Sequence, residues 1–173
     1  DRKDQSIHFY RSGYIQHINY DEILGIAEQN GLYIHIEFNA GHFLIEGENG
    51  VRAYPRHKVT EDIIKEIKSG FIVGNAPTPT QDIEYSIRHL VEIALRALSP
   101  GINDNFTAVS VLDRLSAAMA ILFRKKTPAE WRCDSQGRVR MWCKQSDDAD
   151  IIFSAFDQIR HNAREKPDII YHI

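Results

Sequence analysis

Apolar residues recur along this chain at two different periods, and the change of period divides it. In the first third the period is two. Leu32, Ile34, Ile36 and Phe38 fall on one side of a run whose other side is Tyr33, His35 and Glu37, the pattern of a half-buried strand. Shorter runs at 14–18, 43–45 and 51–54 predict further strands, and 71–74 a last short strand or extended tie. Gly13, Gly31, Gly41, Gly47 and Gly50 stand at the joins and predict tight connections. Two short helices interrupt the pattern. One covers 21–29, carries Ile23, Leu24, Ile26 and Ala27, and closes at Asn30-Gly31. The other covers 60–69 and carries Ile63, Ile64 and Ile67.

From residue 80 the period becomes helical. Ile83, Ile87, Leu90, Val91, Ala94 and Leu98 make one stripe, with Thr80 or Asp82 to cap its start and Glu84 in its first turn. Pro100 disfavours helix at Ser99 and stops it. A second helix is predicted over 105–123, capped by Asp104. Val109, Val111, Leu112, Leu115, Ala118, Met119, Leu122 and Phe123 cover most of its circumference, which predicts central burial. Arg124, Lys125 and Lys126 follow at its C-terminus, where cations are favoured. Residues 130–143 read as a hairpin turning at 134–137, with Cys133 near Arg138 and away from Cys143. A third helix opens at Ser146-Asp147-Asp148, carries the stripe Ile152, Phe156, Ile159 and Ala163, and ends at Pro167 before an apolar tail.

These elements predict an α+β fold. Residues 1–11 read as a linker. Residues 12–74 form a small β unit, barrel- or sandwich-like, with a short helix inserted. The loop 75–79, with two prolines, is the boundary. Residues 80–173 form a mainly helical unit with a central helix-turn-helix corner and the hairpin near 130–143.

Polar groups crowd that corner. Arg96, Ser99, Asn103, Asp104 and Thr107 flank the breakers Pro100 and Gly101, where one helix directs its last carbonyls and the next its first N–H groups. Gly101 is the residue expected to take a backbone conformation that others resist. The corner has two readings. In one it is a capped turn braced by an Arg96–Asp104 ion pair. In the other it is a binding site in which Arg96 holds an anion, with Asp104 or Asp82 as base and His89 assisting. The candidate ligand-binding set is therefore Arg96, Ser99, Asn103, Asp104, Thr107 and Asp82.

Composition narrows the choice. A chain of 173 residues with 43% hydrophobic and 26% charged residues is that of a globular protein. Its net charge of −3 gives no bias toward nucleic acid. No run of the sequence approaches the roughly 18 consecutive apolar residues that span a bilayer. The polar start without Met predicts a fragment or processed product. His17, His35 and His42 lack a metal-ligand spacing, so no metal is assigned, and no cofactor motif is present. Nor is there a P-loop, a dinucleotide fingerprint, a nucleophile elbow or an HExxH. Arg132, Arg138, Arg140 and Lys144 make the hairpin basic, a solvated face more readily than a phosphate contact. Two cysteines, Cys133 and Cys143, suit a reducing compartment.

Three stretches carry a resemblance: Ser12-Gly13-Tyr14-Ile15-Gln16, Gln81-Asp82, and above all Ile93 through Asp104 followed by Phe106-Thr107-Ala108. Over roughly residues 12–124 the chain resembles a bacterial family known as predicted membrane proteins with a domain of unknown function. That family usually has Pro where this chain has Asn105, and an Arg-Thr pair near Pro77-Thr78. The resemblance implies a soluble portion of an inner-membrane protein on the cytoplasmic face, preceded by transmembrane helices. The expected partners are the membrane, reached through that missing region, and, as a separate expectation, a further copy of the chain as a homo-oligomer. It brings no established activity. A non-catalytic domain for assembly, sensing or gating is the first reading. An enzyme or binding domain for a small anionic or lipid-linked ligand at the corner is the second.

Overall fold

The computed structural model describes residues 4–125 and 128–173. The first three residues of the expected linker, and Lys126 of the basic run, lie outside them. The chain divides into two compact units.

The first unit contains eight strands: β1 Gln5–Ile7, β2 Gly13–Ile18, β3 Tyr33–Ile36, β4 Phe43–Leu44, β5 Val51–Tyr54, β6 Phe71–Gly74, β7 Trp131–Cys133 and β8 Val139–Cys143. It also contains helices α1 Tyr20–Asn30 and α2 Glu61–Ser69. Five strands make one sheet in the order β1-β5-β3-β8-β7, and three make another in the order β4-β2-β6. Both sheets and both helices feed one core. Ile34 and Ile36 of β3, Val51 and Ala53 of β5 and Met141 and Cys143 of β8 point into it from the larger sheet, Ile15, Ile18 and Leu44 from the smaller. Each isoleucine fully removed from water there contributes about 1.5–3 kcal/mol. In β2 the buried Ile15 and Ile18 are three apart, which strict alternation forbids; a register shift between Ile15 and His17 returns both to the core.

The structure differs from the sequence reading at both ends of this unit. Residues 5–7 are not linker: β1 pairs with β5, and Ile7 and Phe9 are core residues, Phe9 meeting Phe38 and Phe71 edge-on. Their polar neighbours hide two apolar residues that the sheet needs. The hairpin, expected with the helices, instead extends the larger sheet, because β8 pairs in parallel with β3 and buries Met141 and Cys143 beside Ile34 and Ile36. Cys133 lies opposite Val139, and both cysteines are free.

The second unit contains helices α3 Ile83–Leu98, α4 Asn105–Leu122, α5 Asp148–Asn162 and α6 Pro167–His172, around a core of their own. α3 presents Ile87, Val91, Ala94, Ala97 and Leu98. The buried row is Ile151, Ala155 and Ile159 of α5 with Ala163 just after it; Ile159 and Ala163 are as expected, whereas Ile152 is exposed and Phe156 only partly buried, their places in the core taken by Ile151 and Ala155. That row repeats every four residues, and its alanines suit close helix packing. Pro167 opens α6 at its first position, where its missing N–H needs no partner, so the apolar tail is helical and buries Ile169.

α4 is long and apolar enough to cross a membrane by length and composition, at a mean hydropathy of 1.2. It is not buried all round, as its circumference predicted. Ala108, Val111, Leu112, Leu115 and Met119 face the core, while alanines, serines, Asp113 and Arg114 are exposed together with Phe106 and Ile121. Asp113 pairs with His172 of α6 at 2.8 Å.

Candidate functional site

The corner is built by two helix ends that bond each other. After Leu98 the Ser99 N–H and hydroxyl both donate to the Arg96 carbonyl, at 3.2 and 2.7 Å. The N–H groups of Ile102 and Asn103 donate to the Ser99 carbonyl, and that of Asp104 to the Ala97 carbonyl at 2.8 Å. The left-handed residue is Asn103, at φ 51°, and not Gly101 as expected. Asparagine tolerates that region better than most side chains. At Gly101 an added Cβ would meet open space.

Asp104 is the N-cap of α4, as its position predicts. One carboxylate oxygen accepts from the Thr107 N–H at 3.0 Å and the other from the Thr107 hydroxyl at 2.5 Å. These two bonds, with a smaller one from the Phe106 N–H, outweigh partial burial and lower the Asp104 pKa. Both of its oxygens are thus engaged, which leaves it poorly suited to take a proton as a general base.

The residue that closes the corner is one that sequence reasoning missed. Lys166, from the turn before α6, places its ammonium 2.6 Å from Asn103 Oδ1, 3.1 Å from Asn105 Oδ1 and 3.3 Å from the Leu98 carbonyl. An ammonium has three donors, and all three are used. A cation at the C-terminus of α3 is also favoured by its dipole. Nothing local announces this role, since Lys166 is more than sixty residues from the groups it ties together.

The remaining candidates disperse. Arg96 is exposed and, among the described residues, forms no ion pair with Asp104. Asp82 belongs to the first unit, where its carboxylate packs over Gly41 so closely that a Cβ there would stand 2.0 Å from Oδ2. His89 is exposed and packs edge-on against Tyr85. Arg96, Ser99, Asn103, Asp104 and Thr107 do share the corner, but the side chains of all but Arg96 are used in closing it.

In the basic hairpin two of the arginines share one buried carboxylate. Asp134 has a buried side chain that accepts from the Gln136 and Arg138 N–H groups and from Nε of Arg138 and Arg140, the last two at 2.8 Å. Burial alone would raise its pKa. The Arg140 and Arg138 bonds and the backbone donors overcome that and hold it far below the usual carboxylate range. Arg132 lies over the Tyr20 ring and near Asp21. His42 is bonded to Glu48, and no three His, Cys, Asp or Glu side chains gather as a metal cage among the described residues.

Comparison with known proteins puts this geometry in context. The family described as "Predicted membrane protein (DUF2254)" matches residues 1–173, the whole chain. The chain belongs to this family. Uncharacterized proteins of Mycobacterium bovis and Mycobacterium tuberculosis are each 27% identical over 167 residues, covering 92% of this chain. The chain spans 31% of the length of those relatives. No solved structure matches it.

Proposed function

We propose that this chain is a non-catalytic portion of an inner-membrane protein, serving assembly, sensing or gating on the cytoplasmic face. Family membership supports the membrane context. The observation that carries the non-catalytic reading is the closed corner: Lys166 spends its donors on Asn103, Asn105 and Leu98, and Asp104 spends its acceptors on Thr107. Lys166 and Asp104 therefore offer no free group to a ligand, and Arg96 is left facing solvent. The unpaired cysteines, Cys133 exposed and Cys143 buried, support the reducing side.

Two experiments test this. Thermal-shift screening of phosphorylated and carboxylated metabolites should find no compound whose stabilisation depends on Arg96, because a ligand raises the melting temperature only by binding the native state. A compound whose effect disappears in Arg96→Ala would establish the anion-binding alternative. For sidedness, Cys133 in the full-length membrane protein is the reporter. An impermeant thiol reagent should label it in inverted vesicles; labelling confined to right-side-out vesicles would refute the cytoplasmic assignment.

A further inference from the structure

The β unit carries a second cluster of polar and aromatic side chains, none of which belongs to the candidate ligand-binding set. Alternation in β3 and β5 sends Ile34, Ile36, Val51 and Ala53 to the core and Tyr33, His35, Arg52 and Tyr54 to the opposite face. The register sets Tyr33 beside Tyr54 and His35 beside Arg52. Asp4, immediately before β1, completes a cleft of about 270 Å³ lined by these four, Asp4 and Ala53. The aromatic surface continues over the neighbouring strands. His35 packs edge-on against Trp142 with ring centroids 4.3 Å apart, and Tyr33 tilts against Trp131 at 6.4 Å.

We propose that this cleft binds a single uncharged sugar ring, a hexopyranose that is free or the end unit of a glycan. Volume sets the size, since about 300 Å³ is the lower end for drug-sized ligands and one ring fills less. Charge excludes an ion. Within the lining Asp4 and Arg52 are of opposite sign, and Arg52 is also bonded to Glu37, so neither an anion nor a cation meets an unopposed partner. Burial and the Arg52 charge, against the pull of Glu37, lower the His35 pKa and favour the neutral imidazole, which offers one donor and one acceptor. Chemistry then selects a polyol. Tyrosine ring faces carry the negative end of the quadrupole and attract the C–H face of a saturated sugar. Hydroxyl groups both donate and accept, so they satisfy the acceptor-only Asp4 and the donor-only Arg52 together. An apolar ring would cover the Asp4 carboxylate and offer it no donor.

The chain has two tryptophans, Trp131 and Trp142, and both border this face, so their emission reports on it. The test is titration of the protein with D-glucose, D-galactose, D-mannose and N-acetyl-D-glucosamine in turn. At least one should give a saturable change in emission. Tyr54→Ala and Asp4→Asn should each weaken that sugar at least tenfold while leaving the far-ultraviolet circular dichroism unchanged. Maltose and chitobiose separate the two sources: tighter binding than the monosaccharide points to a glycan end, equal or weaker binding to a free sugar. No saturable change with any of these sugars overturns the proposal. So does binding that survives both substitutions, or tighter binding of AMP or choline than of every sugar.

Discussion

The corner at residues 96–107 and the outer face of the larger sheet are opposites in their use of polar groups. In the corner the polar side chains other than Arg96 bond within the chain: Ser99 to the Arg96 carbonyl, Thr107 to Asp104, and Lys166 to Asn103, Asn105 and Leu98. On the sheet face, Tyr33, Tyr54, Arg52 and Asp4 line an open cleft, and Tyr54 remains 46% exposed. The densest motif in the sequence is therefore the better braced region, and the less conspicuous one has room for a ligand. A crowd of polar residues at a helix junction is first an answer to the orphaned N–H and C=O groups of the two helix ends. Only groups left over from that task are available for recognition.

The comparison can be broken at several points. The largest effect is expected at Asp134, which holds the hairpin that carries Trp131 and Trp142. Asp134→Ala leaves Arg138, Arg140 and two backbone N–H groups without their acceptor, and should lower the melting temperature by about 10 °C. Tryptophan emission should shift with it. An unchanged emission maximum would mean that the sheet face does not depend on the turn.

Asp104→Ala should lower the melting temperature by a few degrees, less than Asp134→Ala, through loss of the cap. This effect has a pH signature. The Thr107 hydroxyl and N–H hold the Asp104 pKa below the ordinary aspartate value of 3.8, so its contribution is complete above pH 3.8 and is lost as pH falls through the folded-state value. Melting curves of the parent and the variant should converge below that pH. A gap that stays constant would assign the loss to something other than the ionised cap.

Smaller still is Asn105→Pro. Asn105 is the first residue of α4, where proline is favoured and reduces the entropy of the unfolded chain. It is also an acceptor for Lys166, which the change removes. The two effects oppose, and the melting temperature should move by no more than about 2 °C. A larger fall would mean that this one bond dominates the brace.

The smallest effect concerns His35. Its pKa is lowered by burial and by Arg52, against the opposing pull of Glu37. Because the folded state resists protonation, stability is complete above the unfolded value of about 6.5 and falls as pH drops from there toward the folded value. His35→Gln should flatten stability between pH 7 and 5. An identical slope in parent and variant would show that the imidazole does not sense this environment.

How legible all this was depended on the range of the interaction. Local signals carried: the alternation of β3, the start of α2 near Thr60, the Asp104 cap, the closure of α1 at Gly31, and the Pro100 stop all match what the sequence states within a few residues. The failures were tertiary. β1 is a strand because β5 lies beside it, and the hairpin joins the sheet because β3 offers a free edge to β8. Pro167 looked like a stop and is a start, since proline is compatible with both. In the candidate site the cap could be read from Asp104 and Thr107, but Lys166 could not, because only the folding of α6 onto α4 brings it there. Nor did the cleft announce itself, because Tyr33, His35, Arg52 and Tyr54 read as an ordinary solvent side of two strands.

The central claim is that the corner is a brace and not a site, and Lys166 decides it. Thermal unfolding of Lys166→Met and Arg96→Met should be compared with the parent at neutral pH. Lys166→Met keeps the length of the side chain and removes its three hydrogen bonds, so it should cost about 1–2 kcal/mol, whereas Arg96→Met should cost nothing measurable. If Lys166→Met leaves the melting temperature unchanged or raises it, the ammonium is not bracing the fold, and the account of the corner fails.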